Sequence, residues 1–303
     1  MRKLTIFAIV GFLAQLIDGS LGMGFGATSS SLLLTFGIAP AVASATIHFS
    51  EVATTAASGI SHIKFKNVDK SIILKLALPG AIAGFIGAGV LSNLQSDAIK
   101  PFIALFLLTM GVYIIYQFVF KQPKQFNNTK EGKLSGFLLV PQGAIAGFLD
   151  AIGGGGWGPV NTPLLLTQNK IEPRYVIGTV SASEFFVTIS TSLGFILFFG
   201  WDQISIALVA ALAVGGVVAA PFSAWLVKTL PVYVLAVLVG GLIIFTNSTV
   251  LIGTFVQSDV TANILKITIV VLWLGLVLFT LYQHSKFPFN LQNEKSKEID
   301  QIN

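Results

Sequence analysis

Four acidic residues stand where acids are costly. Asp18, Glu51, Asp150 and Glu184 interrupt long apolar stretches. A charge near the middle of a bilayer costs roughly 2.5–3.5 kcal/mol or more, so such groups usually face a cavity or a partner. Two of the four introduce glycine clusters: Asp18 precedes Gly22, Gly24 and Gly26, and Asp150 precedes Gly153, Gly154, Gly155, Gly156 and Gly158. Such clusters unwind a helix and let backbone approach a ligand. The stretches that follow, 27–36 and 159–167, then begin as new half-helices. Pro159 suits a first helical turn, where its missing N–H does no harm. The N-terminus of a half-helix carries free N–H groups and a partial positive charge, which favour an anion. The chemistry suggested is anion binding at Gly22, Gly24, Gly26, Gly154, Gly156 and Gly158.

Other polar side chains fall around these breaks. Thr46 and Ser50, like Thr179 and Ser183, are spaced i and i+4 on one helix face. Their hydroxyls either donate to a bound anion or bond back to carbonyls of their own helix. Asn161 falls in the first turn of the second half-helix, where its amide can donate to ligand, and Ser29 is its counterpart. Asp18 and Asp150 are expected to tie down backbone N–H groups rather than touch substrate. Glu51 and Glu184 would repel an anion if ionised. They either carry protons coupled to transport or point away and hydrogen-bond to helix ends, the structural role being preferred. His48 and His62 lack metal-ligand spacing to a second histidine, so packing or helix-end roles are expected, with no metal and no cofactor. Asp69 and Asp202 read as N-caps of the helices that follow.

The elements that must position these residues occur twice. Asp18 and Asp150, the glycines 22, 24, 26 and 154, 156, 158, and Phe25 and Trp157 correspond at a spacing of 132 residues. After one inserted residue, Pro40 and Pro173, Thr46 and Thr179, Ser50-Glu51 and Ser183-Glu184, and Asp69 and Asp202 correspond at 133. A lone glycine motif reads as close helix packing. Two at matched positions, each preceded by an aspartate, read as the binding site of an internally duplicated transporter. A nucleotide loop is excluded, because no Gly-Lys-Ser/Thr follows.

Each copy has four elements. They are a glycine-broken segment (4–36 and 134–167), a helix carrying Ser-Glu (40–62 and 174–198), a helix after an aspartate (70–94 and 203–228) and an apolar helix (99–119 and 231–246). The chain thus divides into a first repeat 1–119, a polar cytoplasmic linker 120–133 and a second repeat 134–247. A C-terminal transmembrane segment 248–284, whose apolar core 262–283 has no counterpart, and a cytoplasmic tail 285–303 complete it. The fold class is an all-α integral membrane protein, because isolated strands cannot satisfy their backbone in lipid. Hydrophobic residues make up 54% and charged residues 10%, against roughly 25% charged in soluble domains, and mean hydropathy is +0.83. The net charge of +5 is scattered over loops, which does not indicate nucleic-acid binding. The absence of cysteine excludes disulfides, thiol catalysis and iron–sulfur clusters. Met1-Arg2-Lys3 and the apolar run after it could open a signal peptide, but residues 4–17 match 134–149 of the second copy and are taken as mature protein.

Orientation turns on the broken segments. If each crosses once, the copies are parallel; if each folds back as a hairpin, they are inverted. The excess of Lys and Arg on cytoplasmic loops discriminates. The inverted arrangement puts 14 of them inside and 4 outside, the parallel one 11 and 7, so inversion is favoured against the cost of placing Arg2 and Lys3 outside. No Lys or Arg falls in the middle of a predicted span. An anion must then be held by helix ends, backbone N–H groups and hydroxyls. Helix-end effects of about 0.3–1 kcal/mol each imply the modest affinity of a carrier.

The stretches DGSLGMGFGATSSSLLL (18–34) and DAIGGGGWGPVNTPLLL (150–166), with Asn67-Val68-Asp69 and Trp201-Asp202 after the second helices, resemble the TauE/SafE family of sulfite exporters over about residues 4–283. The resemblance implies a secondary transporter of the plasma membrane that moves a small anion, sulfite or an organosulfonate, by alternating access. A passive anion channel of the same architecture is the alternative. Proton coupling and a homodimer are compatible partners of this reading, nucleic acid is not. An enzyme lacks support, since there is no HExxH, GxSxG, paired histidine or cysteine nucleophile.

Overall fold

Glycine and proline punctuate the chain into helices. The structure, a computed structural model, describes residues 2–120, 136–168, 171, 173–229 and 232–286. Most of the expected linker and tail, with Lys170, lies outside the described residues. The helices are α1 (Arg2–Leu21), α2 (Phe25–Thr35), α3 (Pro40–Lys64), α4 (Lys70–Asn93), α5 (Ser96–Ile115), α6 (Gly136–Gly153), α7 (Trp157–Thr167), α8 (Pro173–Phe198), α9 (Ile206–Thr229), α10 (Val232–Phe255) and α11 (Asp259–Lys286). No strand occurs among the described residues. Six helices, α4, α5, α6, α8, α10 and α11, are long and apolar enough to cross a membrane. The helices after the breaks, α2 and α7, have 11 residues each. At 1.5 Å per residue they reach roughly 16 Å, about half of a ~30 Å hydrocarbon core.

Small residues set the helix contacts. Gly143 lies against Leu76, Gly147 against Gly80 and Gly87 against Ala151, so α4 and α6 run in the same direction. Ser190 Oγ donates to the Ala81 carbonyl at 2.8 Å, Gly194 lies against Phe85 and Gly89 against Phe198, so α8 also runs with α4. In contrast, α3 and α8 are antiparallel. Ser58 and Ser181 share a hydroxyl hydrogen bond of 2.8 Å at one end, and the His48 and Phe195 rings meet at a tilt of 47° with centroids 6.0 Å apart at the other. Helices α5 and α10 are antiparallel too, with Gly111 against Ile244 and Gly240 against Ile115. Glycine at such contacts removes the side chain that would hold the backbones apart.

Several boundaries differ from the sequence reading. The half-helices begin at Phe25 and Trp157, two residues early, because Asp18 and Asp150 supply acceptors for their first N–H groups. Helix α10 continues past 246 to Phe255, since its polar stretch bonds inward. Thr246 donates to Leu242 O, Thr249 to Phe245 O and Thr254 to Val250 O. Asp202 lies in the short 3₁₀ turn Trp201–Gln203 rather than at the start of α9, where Ser205 Oγ accepts from Leu208 N at 3.5 Å. Asp69 does cap α4, accepting from Ser71 N at 2.9 Å. Helix α11 packs on α10 through Trp273, whose Nε1 donates to Val237 O at 3.0 Å. Most of its large apolar side chains are exposed, as a lipid-facing helix requires.

Candidate functional site

The two breaks are built alike and touch. Gly22 and Gly154, matched positions, both have φ of 68°, in the left-handed region that an L side chain rarely enters. Gly22 N donates to Asp18 O at 2.7 Å and Gly154 N to Asp150 O at 2.6 Å, so each break closes with the same turn. Gly26 lies on Gly154 and Gly155, Gly155 on Gly26 and Ala27, and Gly158 on Met23. A Cβ at Gly155 would strike backbone, which cannot yield as a flexible side chain can. Thr162 Oγ1 donates to Gly22 O at 3.0 Å and stitches α7 to the first break. Phe25 and Trp157 are buried beside the breaks, and Trp157 Nε1 donates to Val180 O at 3.1 Å.

The aspartates hold the exposed backbone, as their positions suggested. Asp150 Oδ1 accepts from Gly156 N at 2.7 Å and from Trp157 N at 3.0 Å, and Asp18 Oδ1 accepts from Phe25 N at 3.4 Å. Carboxylates of the chain itself therefore occupy the leading N–H groups of both half-helices, Gly156 included.

The hydroxyl face is committed elsewhere. Thr46 Oγ1 donates to Val42 O, Ser50 Oγ to Thr46 O and Ser183 Oγ to Val180 O. Their protons are used within the protein, the back-bonding arrangement. Thr179 Oγ1 accepts from Asp69 N at 2.9 Å, joining α8 to the α3–α4 turn.

Free donors lie instead on the half-helices. Ser29 and Asn161 are fully buried, and Ser29 Oγ and Asn161 Nδ2 have no partner. Gln142 Nε2 donates to Asn161 Oδ1 at 3.0 Å, which turns the amide so that its NH₂ is the unused end. Thr28 Oγ1, beside Ser29, is likewise buried and unpaired. A buried polar group without a partner costs about 1–3 kcal/mol, and a pair of them at repeat-equivalent positions suits a ligand.

His48 makes a contact that the sequence did not suggest: its Nε2 lies 3.2 Å from Asp150 Oδ2, and both side chains are buried. Glu51, one helical turn on, is also buried, with Oε2 unpartnered. His48, Glu51 and Asp150 each offer an atom within 4.8 Å of the others, and Asp18 and Glu184 are the other acids acting on Glu51. The signal available in sequence was asymmetry: at the spacing of 133, Ser181 stands where His48 does.

Comparison with known proteins gives a consistent picture. A family model described as "Sulfite exporter TauE/SafE" matches residues 7–249. The chain is similar to the probable membrane transporter protein YtnM of Bacillus subtilis (strain 168), 49% identical over 281 residues that cover 93% of each protein. It is also similar to Sulfite exporter TauE/SafE family protein 3 of Arabidopsis thaliana, 26% identical over 112 residues, 37% of this chain and 24% of that protein. No solved structure matches.

Proposed function

Since this chain belongs to the TauE/SafE sulfite exporter family and is a multi-pass membrane transporter rather than an enzyme, we propose that it carries sulfite or a small organosulfonate by alternating access, with the anion bound between the two half-helices. The observation that carries this reading is the matched pair of unpaired, fully buried donors, Ser29 Oγ and Asn161 Nδ2. Thr28 Oγ1 adds a third donor on the same turn. Hydroxyl and amide donors can bind an oxyanion without a lysine or arginine. The glycine breaks then serve to bring α2 and α7 together.

The reading includes inverted repeats. Helices α6 and α8 both run with α4, so the half-length α7 between them acts as the return arm of a hairpin. The equivalent pairs α3 with α8 and α5 with α10 run in opposite directions, as an axis lying in the membrane plane requires. Rocking of one repeat against the other would expose the site to each side in turn.

Sulfite counterflow in proteoliposomes tests the function. Saturable uptake accelerated by sulfite trapped on the far side is expected. Unsaturable conductance would replace the carrier with a channel. If there is neither flux nor a thermal shift with sulfite, sulfoacetate or taurine, the substrate class is wrong.

A further inference from the structure

We infer that His48, Asp150 and Glu51 form a proton site, so that the bound proton is the coupling ion of transport. The inference rests on the carrier reading above and adds the ion and its seat. The hydrogen bonds around His48 fix where protons must be. Nδ1 lies 2.8 Å from Ser44 O, a carbonyl that can only accept, so Nδ1 carries hydrogen. Ser44 Oγ gives its own proton to Ala151 O, which leaves that oxygen free to accept from Nδ1 at 3.3 Å as well. Across the ring, Nε2 meets Asp150 Oδ2 at 3.2 Å. Between a bare imidazole nitrogen and a carboxylate oxygen that contact would join two acceptors, so it must hold a proton, on one atom or the other.

The surroundings make that proton exchangeable with charge elsewhere. Asp150 Oδ1 is fully used by Gly156 N and Trp157 N, so Oδ2 is the oxygen left to face His48. Glu51, buried with Oε2 unpaired, has a carboxylate oxygen within 4.8 Å of both partners and is a ready alternative seat. The charged groups on other elements that act electrostatically on Glu51 are Asp18 on α1, Asp150 on α6 and Glu184 on α8, all acidic. Buried acids without a counter-ion are costly, so the compensating charge must come from solution. A proton that enters the site with the anion supplies it.

The seat is one-sided and crosses the repeat interface. His48 and Glu51 belong to α3 of the first repeat, and Asp150 belongs to α6 of the second. In the other half, Ser181 replaces His48 and bonds to Ser58 Oγ at 2.8 Å. Movement of one repeat against the other must therefore part His48 from Asp150, which ties proton occupancy to the conformational change.

The test uses the full chain with His48→Gln and Glu51→Gln, each checked for a monodisperse profile in detergent. Infrared titration of purified protein should reveal the carbonyl band of a protonated carboxylic acid that fades as pH rises. The band should weaken in E51Q and move to a different pH range in H48Q. An unchanged band in both variants overturns the proton site whatever the substrate is, as does a stoichiometric bound divalent metal in the wild-type protein. In proteoliposomes, H48Q should keep sulfite counterflow within about twofold while losing accumulation driven by a pH gradient. Retention of that accumulation by H48Q overturns the coupling role. Wild-type protein that lacks sulfite flux but keeps the titrating band would sink the substrate assignment alone.

Discussion

Ser29 and Asn161 make the sharpest demand at the scale of single residues. Each keeps a buried donor unpaired, and hydrogen bonds to charged groups contribute about 1.5–3 kcal/mol. Ser29→Ala or Asn161→Leu should therefore raise the KM for sulfite by about 10-fold or more, at roughly 1.4 kcal/mol per decade. Ser29→Ala leaves no protein partner bare and should still fold, whereas Asn161→Leu also removes the Oδ1 acceptor of Gln142 Nε2 and should lower the unfolding temperature as well. Radiolabelled sulfite uptake at varied concentration measures this, and an unchanged KM in both variants would count against the half-helix site. Gly155 behaves differently. Its position against the Gly26 and Ala27 backbone leaves no room for a methyl group, so Gly155→Ala should cost about 1–3 kcal/mol of stability, read as a lower unfolding temperature in detergent. Gly155 was visible in the sequence as a member of the glycine cluster, and Asn161, with its counterpart Ser29, as an amide on the first turn of a half-helix. Which donors would stay unpaired and which glycine would meet backbone was not visible, because that depends on the chain facing them.

Among the elements, the two half-helices share a length and a turn but are held unequally. Helix α7 has two N–H groups on the Asp150 carboxylate, at 2.7 and 3.0 Å, whereas α2 has one on Asp18 at 3.4 Å. Removing an N-cap acceptor costs about 0.5–2 kcal/mol. Asp150→Ala should then lower the unfolding temperature clearly more than Asp18→Ala, and equal losses would argue that the 3.4 Å contact tightens in the membrane. Sequence alignment of the copies predicted the breaks and their capping acids, since both follow from local spacing. It could not predict the inequality, nor that Thr46, Ser50 and Ser183 spend their protons on their own helices. An i, i+4 spacing serves ligand binding and back-bonding equally well, and only the rotamer decides.

At the scale of the whole molecule the arrangement of the repeats is the open prediction. If they are inverted, the turn between α8 and α9 lies outside and the end of α7 inside. The chain has no cysteine, so single replacements report cleanly. Gln203→Cys should react with a membrane-impermeant maleimide on intact cells, and Gln168→Cys only after permeabilisation. The reverse pattern would mean that each glycine-broken segment crosses once and that the copies are parallel.

Composition and periodicity by themselves determined that the chain is helical and membrane-embedded, because lipid leaves few alternatives for backbone hydrogen bonds. The duplication fixed where each copy is interrupted, and the two repeated motifs carried the family. Tertiary structure decided what the interruptions meet. It set Gly26 on Gly154 and Gly155, left Ser29 Oγ and Asn161 Nδ2 without partners, and brought His48 to Asp150 across 102 residues of chain. Those outcomes depend on contacts between distant segments, and no local pattern of residue types encodes which distant backbone will lie within 3 Å of which side chain.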